Sequence, residues 1–115
     1  MRRGDIYSID FEPVRGSDSD KRRPAVIVSN DAANITAQRL GRGVITVVPL
    51  TTSVERIYPF QVLMPASEVG TERDSKAQAE QVRAVSVGRL GARLGIVPSR
   101  LMRELDEALR LHLAL

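Results

Sequence analysis

Proline and glycine cut the first two-thirds of this chain into short apolar runs, and that punctuation limits what it can fold into. "PAVIVSN" (24–30), "GRGVITVVPL" (41–50) and "YPFQVLMP" (58–65) are rich in β-branched or aromatic residues and are bounded by Pro or Gly. Runs of this length and composition read as strands rather than helices. Pro24 suits the first residue of its strand, where a missing N–H matters least. "GDIYSIDF" (4–11) alternates loosely, but its Ile, Tyr and Phe content also favours a strand. "KAQAEQVRAVSV" (76–87) reads as two short strands meeting near Gln81. Between these lie "EPVRGSDSDKRR" (12–23), with the Pro, Gly, Ser and Asp density of a loop, and "ASEVGTERDS" (66–75), a polar connection. "DAANITAQRL" (31–40) reads as one helical turn or as a loop.

Helical periodicity appears at the end of the chain. Over "VPSRLMRELDEALRLHLAL" (97–115), Leu101, Leu105, Leu109 and His112-Leu113 form an i, i+4 stripe. Pro98 and Ser99 make a start signal, and Asp106 with Arg110 makes an i, i+4 pair on the outer face. The expectation is a mostly β (α+β) fold: a small, curled sheet or barrel packed by a helix over about residues 98–113. The 115 residues suit one domain, 1–115, with one core.

Composition excludes several kinds of chemistry. Without cysteine there is no disulfide framework, thiol nucleophile or thiolate metal site. The single histidine, His112, stands between leucines on the terminal helix and reads as a core-edge or helix-surface residue rather than a catalyst. No histidine cluster offers zinc ligands, and "GARLG" (91–95) lacks the Gly-Lys-Ser/Thr of a phosphate-binding loop. No metal and no cofactor is expected. No apolar stretch approaches the ~20 residues of a spanning helix, and the residues after Arg2-Arg3 lack the apolar core of a secretion signal. A cytoplasmic protein is expected, with no membrane partner. Net charge is +3, and nearly all the basic residues are arginine, the side chain best suited to bidentate phosphate recognition. Nucleic acid is therefore a candidate partner, though solvated arginine faces are common.

Three short segments carry chemistry. "DKRRP" (20–24) closes a loop at the start of a strand, "PLTTS" (49–53) ends another, and "AEQVR" (79–83) holds a carboxylate, an amide and a guanidinium within five residues. Each has a plain alternative. Lys21, Arg22 and Arg23 would serve as a solvated loop, Thr51, Thr52 and Ser53 as a turn closed by hydroxyl-to-backbone bonds, and Glu80 with Arg83 as a local ion pair. Together they supply what RNA cleavage by its own 2′-hydroxyl requires. The nucleophile belongs to the substrate, so the protein needs only to orient it, stabilise charge on the phosphorane and move protons. Arginine and hydroxyl donors serve the second task, and Glu80 is placed to serve the third.

"RRGDIY", "KRRPAVIVSN", "VVPLTTSVERIYPFQV" and "AEQVRAV", in that order, resemble the MazF/PemK family of toxin endoribonucleases, and "LMRELDEALRLHL" is similar to that family's last helix. The resemblance covers nearly the whole chain. It implies an SH3-like barrel of five to seven strands with short helices, assembled as a homodimer. It implies sequence-specific, metal-independent cleavage of single-stranded RNA, leaving a 2′,3′-cyclic phosphate and a 5′-hydroxyl. It further implies a MazE-like antitoxin whose C-terminal segment lies in the RNA groove. The family's catalytic arginine falls on Arg23, its threonine on Thr51 and its acidic residue on Glu80. Because arginine does not readily lose its proton, Arg23 is read as a charge stabiliser, with Glu80 or water handling the proton. Where one branch has a further arginine, this chain has the neutral Gln78.

The bases of single-stranded RNA are held by stacking and edge hydrogen bonds. Tyr58, beside the threonine pair, is the expected exposed aromatic, while Phe11 and Phe60 are expected in the core. The loop from Arg15 to Arg22, with Lys21, and the amides of Asn30, Gln78 and Gln81 are candidate RNA readers, as are Thr52, Ser53 and Arg83. Two rival functions share this fold class: a CcdB-like gyrase poison, which the absence of tryptophan and the "HLAL" ending disfavour, and a non-catalytic RNA-binding barrel.

Overall fold

In a computed structural model, which describes residues 1–11 and 22–115, the chain builds seven strands and three helices. In chain order these are β1 (Asp5–Asp10), β2 (Arg22–Ile27), α1 (Asp31–Leu40), β3 (Val44–Thr51), β4 (Gln61–Met64), α2 (Ala66–Val69), β5 (Ser75–Gln78), β6 (Arg83–Ser86), β7 (Leu90–Ile96) and α3 (Ser99–Leu113). The strands form one antiparallel sheet in the order β4-β5-β3-β2-β1-β7, with β6 also paired to β3. The mostly β architecture closed by a C-terminal helix is the one expected, at the upper end of the five-to-seven strand range.

The middle of the sheet is buried on both faces. Ile6, Val26, Val48 and Leu50 pack beneath α3 with Met64, Leu101 and Leu105. Ile9, Ala25, Ile27, Ile45 and Val47 form the opposite layer with Ala37 of α1. This is why "PAVIV" and "VITVV" read as continuous apolar runs: a strand covered on both sides has no polar face to alternate with. In α3 the buried stripe is Leu101, Leu105 and Ala108, with Leu109 partly buried, whereas Leu113 and His112 are exposed. Pro98 occupies the N-cap position of this helix and Ser99 is its first residue. The expected Asp106–Arg110 pair does not form. Asp106 accepts from Arg3 at 2.6 Å, and Arg110 pairs with Glu107 at 3.4 Å.

Residues 31–40, left between turn and loop by sequence, are a full ten-residue helix. Asn30 caps it by accepting the Ala33 N–H at 2.8 Å, and Gly41 ends it in the left-handed region at φ 67°. The Arg3 backbone N–H donates to Asp31 at 2.7 Å and holds that carboxyl below the usual carboxylate range. The buried face of α1 carries Asn34, fully enclosed, and this polar residue hides the helical stripe from a hydropathy reading. Its amide donates to the Ser29 carbonyl at 2.9 Å and its carbonyl accepts the Ser29 hydroxyl. The same hydroxyl accepts the Thr46 N–H at 3.1 Å, tying α1 to β3.

Two further elements escaped the sequence reading. The first four residues of "ASEVGTERDS" form the short α2, whose first N–H, at Ala66, donates to Asp74 at 2.8 Å. Strand β7, "LGARLGI", was not anticipated because glycines interrupt it. Gly95 is required there by the approach of α2: a Cβ on Gly95 would lie 2.2 Å from the Val69 carbonyl oxygen. Gly95→Ala should therefore lower stability by about 1–3 kcal/mol through backbone displacement. Gly88→Ala, whose added methyl meets nothing closer than 3.8 Å, should leave it nearly unchanged. Thermal melts of the two variants beside the parent check this.

Candidate active site

Strand β3 changes partners near its end, and the candidate residues gather where it does. On one side it pairs with β2 as far as Ala25↔Pro49. On the other it pairs with β6 through Val44–Val47 and then with β5 through Leu50↔Ala77 and Thr51↔Lys76. The short 3₁₀ turn Ala79–Gln81 joins β5 to β6 and lies against β3 at this changeover. Pro49 has no N–H to leave unpaired there.

Side-chain alternation then decides which residues meet. Arg23 shares the face of Ala25 and Ile27, and Thr51 shares the face of Pro49 and Val47. Because Ala25 and Pro49 are directly opposite, Arg23 and Thr51 stand on one face at the open ends of neighbouring strands. Arg83, opposite Val47, is on that face as well, and so is Lys76, opposite Thr51. Strand β2 begins at Arg22, earlier than the sequence suggested. Arg22 and Arg23 are therefore strand residues on opposite faces, and Arg22 turns toward Gly91 of β7. Both are exposed.

Thr51 is half-buried, and its hydroxyl accepts the Ser53 N–H at 3.3 Å. This is the hydroxyl-to-backbone turn weighed from sequence, and a hydroxyl used this way keeps its proton to donate. Thr52 and Ser53 are exposed beside it. A groove of about 540 Å³ adjoins Thr52 and Pro24, lined also by Thr71, Arg73, Ser75 and Arg93.

Glu80 does not pair with Arg83. One of its carboxylate oxygens accepts from Gln61 Nε2 at 2.7 Å, while the other is buried with no hydrogen-bond partner among the described residues. The Arg83 guanidinium instead lies 5.0 Å from the centre of the Phe11 ring. Gln61, overlooked in the sequence, also accepts the Tyr58 N–H at 3.2 Å. One buried amide thus fixes the carboxylate and the aromatic loop together. Its only signal in the sequence is a polar residue inside an otherwise apolar strand.

Tyr58 is exposed and lies parallel to Phe60, with ring centres 5.4 Å apart. Phe60 and Phe11 are half-buried at the rim rather than enclosed in the core. Arg56 and Lys76 each place their cationic group 5.7 Å from the Tyr58 ring centre. Gln78 is half-buried opposite Gln61, and Gln81 is exposed on the 3₁₀ turn. Asn30 does not join this group. It lies past the far end of β2, roughly 20 Å of extended chain from Arg23, where it caps α1. Lys21 and the expected reader loop before it lie outside the described residues. Among the described residues no group of three or more metal-ligating side chains comes together.

Gln61→Leu removes both of these bonds and leaves a buried carboxylate without a partner, which should cost about 1–3 kcal/mol. Adding Glu80→Leu removes the stranded charge, so the double variant should lose less than the sum of the two single variants. Urea unfolding of all three variants measures the difference.

Known proteins resemble this chain along its whole length. The family model described as PemK-like, MazF-like toxin of type II toxin-antitoxin system matches residues 2–113. Endoribonuclease MazF9 of Mycobacterium tuberculosis is 55% identical over 115 residues, covering 100% of this chain and 98% of that protein. Endoribonuclease EndoA of Bacillus subtilis is 34% identical over 116 residues, covering 100% of this chain and 96% of EndoA. Among solved structures, an endoribonuclease in complex with its cognate antitoxin from a mycobacterial species superposes with a TM-score of 0.76 at 28% identity, over 100% of this chain and 96% of that one. The match over residues 2–113 and the identity to these relatives along the whole chain place it in the PemK/MazF family of type II toxin–antitoxin toxins.

Proposed function

We propose that this chain is the toxin of a toxin–antitoxin pair and a sequence-specific endoribonuclease for single-stranded RNA that needs no metal. The observation that carries the reading is the convergence of Arg23 and Thr51 on one face at adjacent strand ends, with Glu80 in the turn behind them. The substrate's 2′-oxygen attacks the neighbouring phosphorus and the bond to the 5′-oxygen breaks; the departing 5′-oxygen takes a proton from water, giving a 2′,3′-cyclic phosphate and a 5′-hydroxyl. Glu80 or water takes the 2′-hydroxyl proton; the unpartnered Glu80 oxygen is enclosed by protein, so it serves only when a shift of the Ala79–Gln81 turn uncovers it. Arg23 and the Thr51 hydroxyl stabilise the charge that develops on the phosphorane oxygens.

Arg22, Lys21, Thr52, Ser53, Gln78, Gln81 and Arg83 serve as RNA contacts around that centre, and Tyr58 offers a face for stacking a base. Asn30 sits too far away to touch the same nucleotide. A single toxin domain over 1–115 would act in the cytoplasm as a homodimer, held in check by a MazE-like antitoxin segment lying in the RNA groove. The antitoxin-bound mycobacterial neighbour supports that partner class. No helix among the described residues is long and apolar enough to cross a membrane.

The test is cleavage of a long, unstructured RNA in excess EDTA. The parent protein should cut at discrete sites. Thr51→Ala and Arg23→Ala should each cut about 100- to 1,000-fold more slowly, as for loss of one transition-state donor. Binding to RNA made uncleavable by a 2′-deoxy sugar should change only a few-fold. Equal losses of binding and cutting would mean an RNA-binding barrel without catalysis, and no cutting by the parent protein would overturn the nuclease reading.

A further inference from the structure

Lys76 is a buried cation with no anion of its own among the described residues. The residue is only 8% exposed. No carboxylate among the described residues pairs with it. Its ammonium donates to the Arg56 carbonyl at 2.7 Å and lies 5.7 Å from the centre of the Tyr58 ring. One carbonyl uses one of its three N–H donors. A buried ammonium supplied with only a carbonyl and a ring face is costly unless a further anion arrives.

The place where that anion would arrive is set by the sheet. Lys76 is the direct cross-strand neighbour of Thr51. Residues opposite one another in antiparallel strands have Cβ atoms about 4.5–5.5 Å apart on the same face. On its other side Lys76 is opposite Leu63, which is 41% exposed, so this face opens outward rather than into the core. The lysine stem is covered while its head reaches the rim formed by Arg56 and Tyr58.

We propose that Lys76 is a second phosphate-binding cation of the active site, its ammonium bonding an RNA phosphate beside Thr51 while still anchoring the Arg56–Tyr58 loop. This rests on the endoribonuclease reading. Arg23 approaches from β2 on one side of Thr51 and Lys76 from β5 on the other, so a phosphate at the Thr51 hydroxyl would be flanked by two positive charges. Lysine suits the inner position because its compact charge can hold the carbonyl and turn another N–H to the phosphate.

The experiment compares Lys76→Met, Lys76→Arg and the parent protein on one RNA carrying the parent's cut sequence. Single-turnover cutting is followed on the all-ribose RNA, and binding to its 2′-deoxy analogue is followed across salt concentrations. Lys76→Met should cut about 100-fold more slowly. Its plot of log affinity against log salt should flatten by about 0.7, the change for one lost phosphate contact on a single strand. Lys76→Arg should keep the parent's slope and recover part of the rate. Slowed cutting with an unchanged slope in Lys76→Met would make the lysine a loop anchor only and overturn the proposal, as would unchanged cutting. A parent protein that binds but never cuts defeats the nuclease reading instead, and the slope then still decides whether Lys76 meets a phosphate.

Discussion

Strand β3 is held on every side, and the rest of the molecule is arranged around it. It pairs with β2 on one edge and with β6 and then β5 on the other. Val48 and Leu50 press into the layer under α3, and Ile45 and Val47 into the layer under α1. A strand enclosed this way has its backbone groups satisfied and its side chains immobilised in two cores at once. Its last residue, Thr51, is therefore held more rigidly than it would be in a loop of the same sequence. Thr51 gains its position from this enclosure. The change of partner at Pro49 then brings β5, its lysine and the Glu80 turn alongside.

Charge does less for the fold than the number of basic residues suggests. The ion pairs among the described residues, such as Arg100 with Glu68 and Glu104, involve partly exposed side chains, where a pair contributes about 0–1 kcal/mol. Polar groups matter more where they are enclosed. The Ser29–Asn34 pair locks α1 to β3 through the Thr46 N–H. Arg3 reaches the Val28 carbonyl at 2.8 Å and Asp106 at 2.6 Å, joining the N-terminus, the end of β2 and α3. These contacts lie at the end of the sheet away from Thr51. Near Thr51, by contrast, Arg23 and Arg83 are exposed.

The legible parts of the fold were those where local pattern and tertiary burial agree. Strands β2, β3 and β4 follow from apolar composition and Pro or Gly boundaries, β1 from its Ile, Tyr and Phe content, β5 and β6 more weakly from the alternation in residues 76–87, and α3 from its leucine spacing. The elements that stayed hidden are those in which one polar or small residue answers a tertiary demand. Asn34 breaks the apolar face of α1 because it bonds Ser29, and Gly95 breaks β7 because α2 lies against it. The site divides the same way. Arg23, Thr51 and Glu80 stand out through their surrounding motifs, and the strand register brings Arg23 and Thr51 to one face. Gln61 and Lys76 do not, because their contacts are with partners 15 or more positions away: Glu80 for one, Arg56 and Thr51 for the other. Asn30 misled because an amide after a strand suits a helix cap as well as a base contact.

Three buried side-chain atoms lack a hydrogen-bond partner among the described residues: Asp10 Oδ1, Ser75 Oγ and Glu80 Oε1. All three sit at the Thr51 end of the sheet. Asp10 is opposite Arg22 at the start of β2, Ser75 directly precedes Lys76, and Glu80 follows β5 in the turn beside β3. An unpaired buried polar atom costs roughly 1–3 kcal/mol, and scattered placement would be expected if these were packing accidents. Their confinement to one end collects the unmet polar demand beside Thr51 and Arg23, while among the described residues the opposite end carries the Ser29–Asn34 and Arg3 contacts. The two-faced core offsets that cost. It lets the open end hold a lysine with no carboxylate partner among the described residues and a half-bonded carboxylate.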